Sequence, residues 1–272
     1  MSRVEMWKQK VRAAHAARAD NAAGPQRGLW EEKRSAWFNR FAGKSDRSDT
    51  YRFLAPHVHG QVLEIGPGPG AYTRLLAQSA ARVVAVEPSP AMVQLLRENL
   101  AELGNIEIVQ STIEDYLEKL QRYDLALAAN VLSGIEPIDA VLTEVTRHAA
   151  VLGIVMGSSA VTPDWSRAVQ QQVLDRTVVD ADMPGSDDLL AVLDELGLPY
   201  ETRIVQVPIH TFTSRTDLND WVEGLFAIPA EQRDILEKAL APFVSKKDGK
   251  LGLPSNQETL VVLVRANNVR DR

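Results

Sequence analysis

The chain of 272 residues contains no cysteine. Disulfides, thiolate metal centres and a cysteine nucleophile are thereby excluded. Long hydrophobic runs are missing as well: no apolar stretch reaches the roughly 20 residues needed to span a bilayer. The start, Met1-Ser2-Arg3-Val4-Glu5, leads into a charged, alanine-rich stretch without a signal-peptide core. A cytoplasmic protein with no membrane association is the expectation. The chain also lacks internal repeats and low-complexity tracts, and its length suits one large α/β domain with extensions.

Positive charge is scarce outside the N-terminal stretch. Residues 1–50 hold 11 Lys/Arg and 6 Asp/Glu, a balance of +5, whereas the remainder carries −11 and the whole chain −6. So acidic a body argues against broad phosphate-backbone binding, and hence against a nucleic-acid partner. The basic arm either touches an acidic surface, its own body included, or is a solvated helix; the second is the default expectation.

What is present is a regular alternation. Residues 2–20 read as a helix with a weak apolar stripe of Val4, Trp7, Val11 and Ala14, broken by Asn21-Ala22-Ala23-Gly24-Pro25. Residues 29–42 are aromatic-rich, and Ser48 to Pro56 reads as one more helix. Strands are then expected over 61–65, 82–87, 106–110, 123–129 and 150–157. Helices are expected over 70–79, 89–103, 114–120 and 136–149. The short, β-branched apolar runs fit strands buried on both faces, and strand–helix alternation predicts a parallel sheet with helices on both sides. Ser89-Pro90 is a good helix start. Helices at 164–178 and 186–196, a strand from Tyr200 to Val207 and a helix from Ser214, with Asp217 placed for a capping box, follow. Pro229 opens a helix to about Val244, residues 246–250 form a turn, and Thr259 to Val264 is the last strand. The expected fold is thus α/β: a doubly wound, seven-stranded, mostly parallel sheet. It has a helical extension over 1–56, and its main domain over 57–266 carries a helical insertion near 214–244.

The chemistry concentrates in Val62-Leu63-Glu64-Ile65-Gly66-Pro67-Gly68-Pro69-Gly70, with Glu87 and Pro88 closing the next apolar run. Glycines at such a turn permit positive φ and close backbone approach. An acid at the end of the following strand, about twenty residues on, suits the two hydroxyls of a ribose. A pyrophosphate needs free amides, and Pro67 and Pro69 remove two of them. The loop therefore suits a nucleoside with a small polar tail and disfavours a dinucleotide. A carboxylate at the end of an apolar strand, as at Glu64, needs a functional reason.

This segment resembles motif I of the class I S-adenosylmethionine-dependent methyltransferases, and residues 61–157 follow that family's order of motifs. The resemblance implies a seven-stranded Rossmann-like fold with S-adenosyl-L-methionine as cofactor. It implies that Glu64, Gly66, Pro67, Gly68 and Gly70 line the methionine part and that Glu87, beside Pro88, binds the ribose. Thr112 and Ile113 would stand at the adenine, where the family usually has an acid, and Asn130 beside the methionine end and the substrate. In small-molecule members, segments before the first strand cover the cofactor; Trp30, Trp37, Phe38, Phe41 and Tyr51 could do so here, with packing of the N-terminal helices the default for most of them.

The implied activity is in-line methyl transfer to a small-molecule acceptor. Of five histidines, His57 and His59 precede the glycine strand, on the far end of the sheet, and His148 ends a helix. His210 follows the strand at 200–207, near where the resemblance implies the substrate pocket, and is the candidate base, with Tyr51 as a second catalytic candidate. No metal set is visible. Other outcomes of the same resemblance are RNA adenine methylation, transfer of an aminopropyl or aminobutyryl group, and a non-catalytic cofactor-binding module. Against RNA stands Asn130-Val131-Leu132-Ser133, which has neither the proline nor the ring that RNA adenine dimethylases carry there.

Overall fold

The computed structural model describes residues 1–22, 47–157, 163–175, 183–226 and 228–265. Trp30, Trp37, Phe38 and Phe41 lie outside them. Helix α1 covers Arg3–Ala22 and α2 covers Ser48–Leu54. The alternating region then runs β1 (Gln61–Ile65), α3 (Ala71–Ala77), β2 (Arg82–Val86), α4 (Pro90–Asn99), β3 (Ile106–Val109), α5 (Ile113–Tyr116), β4 (Tyr123–Ala129), α6 (Ile138–His148) and β5 (Ala149–Gly157). After it come α7 (Asp164–Gln172), α8 (Ser186–Glu195), β6 (Tyr200–Phe212), α9 (Arg215–Phe226), α10 (Arg233–Leu240), β7 (Ser245–Lys247) and β8 (Lys250–Arg265).

The strands form one sheet in the order β3-β2-β1-β4-β5-β8-β6, with the short β7 added against β8. Strands β1 to β5 pair in parallel, and β8 enters antiparallel between β5 and β6. In β1 and β2 every residue but the first is buried, as strands covered on both faces require. Alternate residues feed two cores. Leu63, Ile65, Val84, Val86, Ala126 and Ala128 pack under α1, α5, α6 and α8. Val62, Val83, Leu125 and Leu127 pack under α2 and α3. Helix α6 shows the cause: Ile138, Val141, Leu142 and Val145 recur at helical spacing and are all buried. The Ser89 hydroxyl caps α4 by accepting from the Met92 amide, with Pro90 at the first helical position.

Three expectations are corrected. The basic N-terminal arm is no solvated helix. Trp7 and Val11 are fully buried, and the Trp7 indole donates to the Ile135 carbonyl at 2.8 Å. Lys8, Lys10 and Arg12 pair with Asp139, Asp188 and Glu136, so the positive arm lies on its own acidic body. The last two long strands are longer than their apolar runs. β6 continues from Val207 to Phe212 and β8 begins at Lys250, because each supplies the other's ladder partners. Residues 246–250 are therefore mostly strand, with Asp248 and Gly249 alone as the turn, and β7 is an eighth strand.

That extra length positions the second half of the molecule. β5 ends where Gly157 pairs with Thr259, and β8 residues 250–258 lie beyond, paired mainly with the far part of β6. The hairpin so overshoots the carboxyl ends of the parallel strands by about 30 Å. It carries a third core of Trp165 and Val169 from α7, Phe212, Leu218 and Val222 from β6 and α9, Leu236 and Leu240 from α10, and Leu253. This helical cap contains the expected insertion near 214–244.

Candidate functional site

The strand order reverses between β1 and β4, and open α/β sheets bind ligands outside the carboxyl ends of the strands at such a point. The glycine loop occupies that place. Gly66, Gly68 and Gly70 all have positive φ, at 64°, 56° and 95°. Their surroundings differ. A Cβ on Gly66 would lie 2.6 Å from Val131 Cγ2, and one on Gly70 would lie 2.8 Å from Leu96 Cδ1. At Gly68 nothing stands within 4 Å. Two glycines thus let the loop pack and the middle one faces open space.

The loop's amides are all consumed internally. Gly66 N–H donates to the Val86 carbonyl, Gly68 N–H to Glu87 Oε2 at 3.1 Å and Gly70 N–H to the Pro67 carbonyl; Pro67 and Pro69 have none. The loop itself between Gly66 and Gly70 therefore offers no free amide to a pyrophosphate. The Asn99 amide holds the Pro69 carbonyl at 2.9 Å, tying the loop to the end of α4.

Glu87 is buried and accepts one backbone bond on each oxygen, from Gly68 and from Ser89 at 3.0 Å. Burial raises its pKa, and those two amides oppose the rise. Each carboxylate oxygen can accept twice, so both retain capacity for a vicinal diol. Glu64 is 2% exposed, and its Oε2 has no hydrogen-bond partner among the described residues. Neither has the hydroxyl of the fully buried Thr73 on α3. Burial pushes the Glu64 carboxyl up to about 7, against the pull of the Thr73 hydroxyl and the Arg47 charge, while Glu87 adds to the rise. An unsatisfied carboxylate oxygen out of water, beside the buried Thr73 hydroxyl, fits an incoming ammonium. The residues present therefore fit a nucleoside bearing an amino-acid tail.

The remaining expected residues fall into three groups. Pro88 follows Glu87, and the Ser111 amide donates to the Glu87 carbonyl, which brings the Thr112–Ile113 turn alongside. Thr112 caps α5 by accepting from the Asp115 amide at 3.1 Å, and Ile113 is buried in the core. Asn130 has φ 56°, and its side chain accepts from the Gly157 amide at 3.3 Å, bridging the ends of β4 and β5. Its neighbour Val131 is the residue that meets Gly66. The two catalytic candidates stand apart from this cluster. The Tyr51 hydroxyl donates to the Leu75 carbonyl at 2.9 Å. His210 pairs with Leu253 in the overshooting hairpin, roughly 20 Å along the ladder past the Gly157–Thr259 pair. Its ring lies 4.7 Å from that of Trp221, and burial lowers its pKa.

Sequence reasoning missed Arg47 and Thr73. Thr73 was findable as the third residue of the helix behind the loop, a place that faces the end of β1. Arg47 carries no local signal, since only the tertiary fold brings it to Glu64. Among the described residues no group of His, Asp and Glu could hold a metal ion. No described helix is long and apolar enough to cross a membrane.

Residues 62–153 match a family model described as a methyltransferase domain. The chain is similar to ribosomal RNA small subunit methyltransferase A of Clostridioides difficile (strain 630), with 28% identity over 64% of this chain and 57% of that one. It is also similar to an ornithine lipid N-methyltransferase of Singulisphaera acidiphila, with 32% identity over 27% of this chain and 40% of that one. The chain thus spans less than two thirds of the length of either relative. A candidate methyltransferase from Bacillus halodurans C-125 shares the fold, with a TM-score of 0.52 and 17% identity over 80% of this chain and 99% of that one. The glycine loop, its acids and the family match thus agree on residues 62–153, which are similar to a methyltransferase domain.

Proposed function

We propose that the enzyme transfers the methyl group of S-adenosylmethionine to a small-molecule acceptor by direct in-line displacement. The observation that carries this reading is the helical cap, raised on the β6–β8 hairpin beyond the carboxyl ends of the strands. A cap on that side narrows access to the cofactor and favours a compact acceptor. Bound, the cofactor supplies an electrophilic methyl on sulfur. The acceptor's lone pair forms the new bond to carbon, the carbon–sulfur pair goes to sulfur, and S-adenosylhomocysteine leaves. The protein's share is alignment of acceptor and methyl, which can supply much of the rate.

In this reading His210 belongs to the acceptor side. Its lowered pKa keeps the imidazole neutral at pH 7, the form that can take a proton from the acceptor. Tyr51 belongs to the packing of α2 on α3, since its hydroxyl is bound to Leu75.

RNA methylation is the second reading, and the similarity to ribosomal RNA methyltransferases favours it. Two features weigh against it. Val131 packs at Gly66 and Leu132 is buried, so the residues after Asn130 offer no platform for a flipped base. The body after residue 50 carries a net charge of −11. Incubation with methyl-labelled cofactor, a low-mass metabolite fraction and ribosomal RNA, each in turn, separates the two. Label and S-adenosylhomocysteine arising with the metabolite fraction support the proposal; label entering RNA would overturn it. Methylthioadenosine as the product would instead mark transfer of the aminobutyryl group; the same product from decarboxylated S-adenosylmethionine would mark aminopropyl transfer.

A further inference from the structure

The sheet ends on β6, which among the described residues pairs with β8 alone. The Arg265 amide donates to the Pro199 carbonyl at 3.2 Å, and residues 200–207 continue the same register along β8. Backbone bonds alternate along an antiparallel ladder, so Pro199 and the odd-numbered residues up to Val207 point their polar groups at β8. Tyr200, Thr202, Ile204 and Gln206 point theirs outward. That run stops at the bulge between Val207 and Ile209, where Pro208 has no N–H to offer. The side chains divide by the same parity. Tyr200 lies on the face covered by α8, its hydroxyl donating to Asp194 at 3.1 Å, and Ile204 shares that face with 59% exposure. Glu201 and Arg203 share the opposite face. Glu201 accepts from Arg265 at 2.8 Å, and the Arg203 guanidinium carbon lies 5.1 Å from the centre of the Phe53 ring.

Charges on an edge strand ordinarily deter a second strand. Here their order, Glu201-Thr202-Arg203, is its own complement when the chain direction is reversed. We propose that β6 is a self-association edge, to which a second copy of this chain adds its own β6 antiparallel about a two-fold axis at Thr202. In that register Tyr200, Thr202 and Ile204 make the hydrogen-bonded pairs, about six backbone bonds in all. Glu201 stands directly opposite the partner's Arg203 in the closer, non-hydrogen-bonded pair, twice by symmetry. Ile204 covers the partner's Tyr200, which takes the exposed aliphatic side chain out of water. Neighbouring registers are worse. An axis at Arg203 sets arginine against arginine, and one at Glu201 sets glutamate against glutamate. An axis at Ile204 places Pro208 opposite Tyr200 and leaves both charges without an opposite charge across the strand. The pairing is isologous and closes at two copies.

The test is sedimentation velocity of the full chain up to about 100 μM, a range that detects micromolar association. Wild-type protein should sediment as a dimer at the upper end. Arg203→Glu sets glutamates opposite one another and Glu201→Arg sets arginines opposite one another, so each should raise the dimer dissociation constant about tenfold or more. An equimolar mixture of the two variants should recover the wild-type dimer, since every cross-strand pair between them is again opposite in charge. Because the chain has no cysteine, a single introduced one reports the register. Thr202→Cys should give a disulfide-linked dimer on mild oxidation, its two Cα atoms standing about 5.5 Å apart. Ile204→Cys, about 14 Å from its copy, should not. A wild-type chain that remains monomeric at about 100 μM would overturn the proposal and leave the edge to a different strand donor. A dimer that neither charge variant weakens, or one that the mixture fails to restore, would overturn it too. So would cross-linking of the Ile204→Cys protein as fast as the Thr202→Cys protein.

Discussion

At the scale of single residues, the three loop glycines separate into two kinds. Alanine at Gly66 or Gly70 meets Val131 or Leu96 below 3 Å as well as the left-handed backbone penalty. Each should lower stability by about 2–4 kcal/mol, read as a fall in melting temperature. Alanine at Gly68 meets only the backbone penalty, about 1–2 kcal/mol, but its methyl group enters the open space that the ligand needs. Its signature is a loss of cofactor affinity of at least tenfold in a protein that still melts cooperatively. Glu64 makes a second prediction. Its folded pKa, about 7, lies above its ordinary value, so ligand-free stability is fully present below about pH 4.5 and declines as pH rises through 7, by about 3 kcal/mol. Glu64→Gln should therefore melt higher than wild type at pH 8 in the absence of ligand. Cofactor affinity runs the other way: the carboxylate must be ionised to take an ammonium, so wild-type Kd should rise as pH falls below 7. The Gln variant should bind weakly at every pH. A wild-type Kd that stays flat from pH 5.5 to 8 would refute the role given to Glu64.

At the scale of elements, α1 is held by one side chain more than by its charges. Trp7→Ala removes a fully buried indole and its bond to Ile135, and should cost about 3–5 kcal/mol in chemical denaturation. Trp7→Phe keeps most of the apolar area and should cost less than half of that. The pairs made by Lys8 and Arg12 are part-exposed and should contribute less than 1 kcal/mol each, a contribution that fades in high salt. The stripe of Val4, Trp7, Val11 and Ala14 was legible from its spacing alone. What it docks on was not, because Ile135, Glu136 and Asp188 lie more than 120 residues away. The same limit explains the strands. The bounds of β1 and β4 were legible because each is a short, mostly apolar run, broken by Glu64 in one and Asp124 in the other, between polar or glycine breaks. The far parts of β6 and β8 were not, since residues such as His210, Gly252 and Pro254 carry no strand signal and become strand by pairing across the β6–β8 ladder.

At the scale of the whole molecule, the proposed cofactor site and the proposed acceptor site differ in how far the chain must travel to build them. The first is nearly local: nine residues of loop and strand and one acid on the next strand. That is why the glycine motif, Glu64 and Glu87 could be named from sequence. The second draws on α7, the far part of β6, α9, α10 and β8, and no short motif spans them. Separate construction implies separable loss. Trp165, whose indole donates to the Pro254 carbonyl at 2.7 Å, ties α7 to the hairpin. Trp165→Ala should loosen the cap and raise its susceptibility to limited proteolysis. Affinity for S-adenosylhomocysteine should stay within about threefold, and turnover of the acceptor, once identified, should fall at least tenfold. A matching fall in cofactor affinity would show that the two sites are coupled. The position of β8 has a consequence for synthesis. It is the last of the described strands in the chain, yet it lies inside the sheet, between β5 and β6. As the chain leaves the ribosome, β1 to β5 can assemble among themselves, while β6 and the helices that follow it wait for a partner still to be made. The nascent enzyme is thus expected to recognise its cofactor before it has anywhere to put an acceptor.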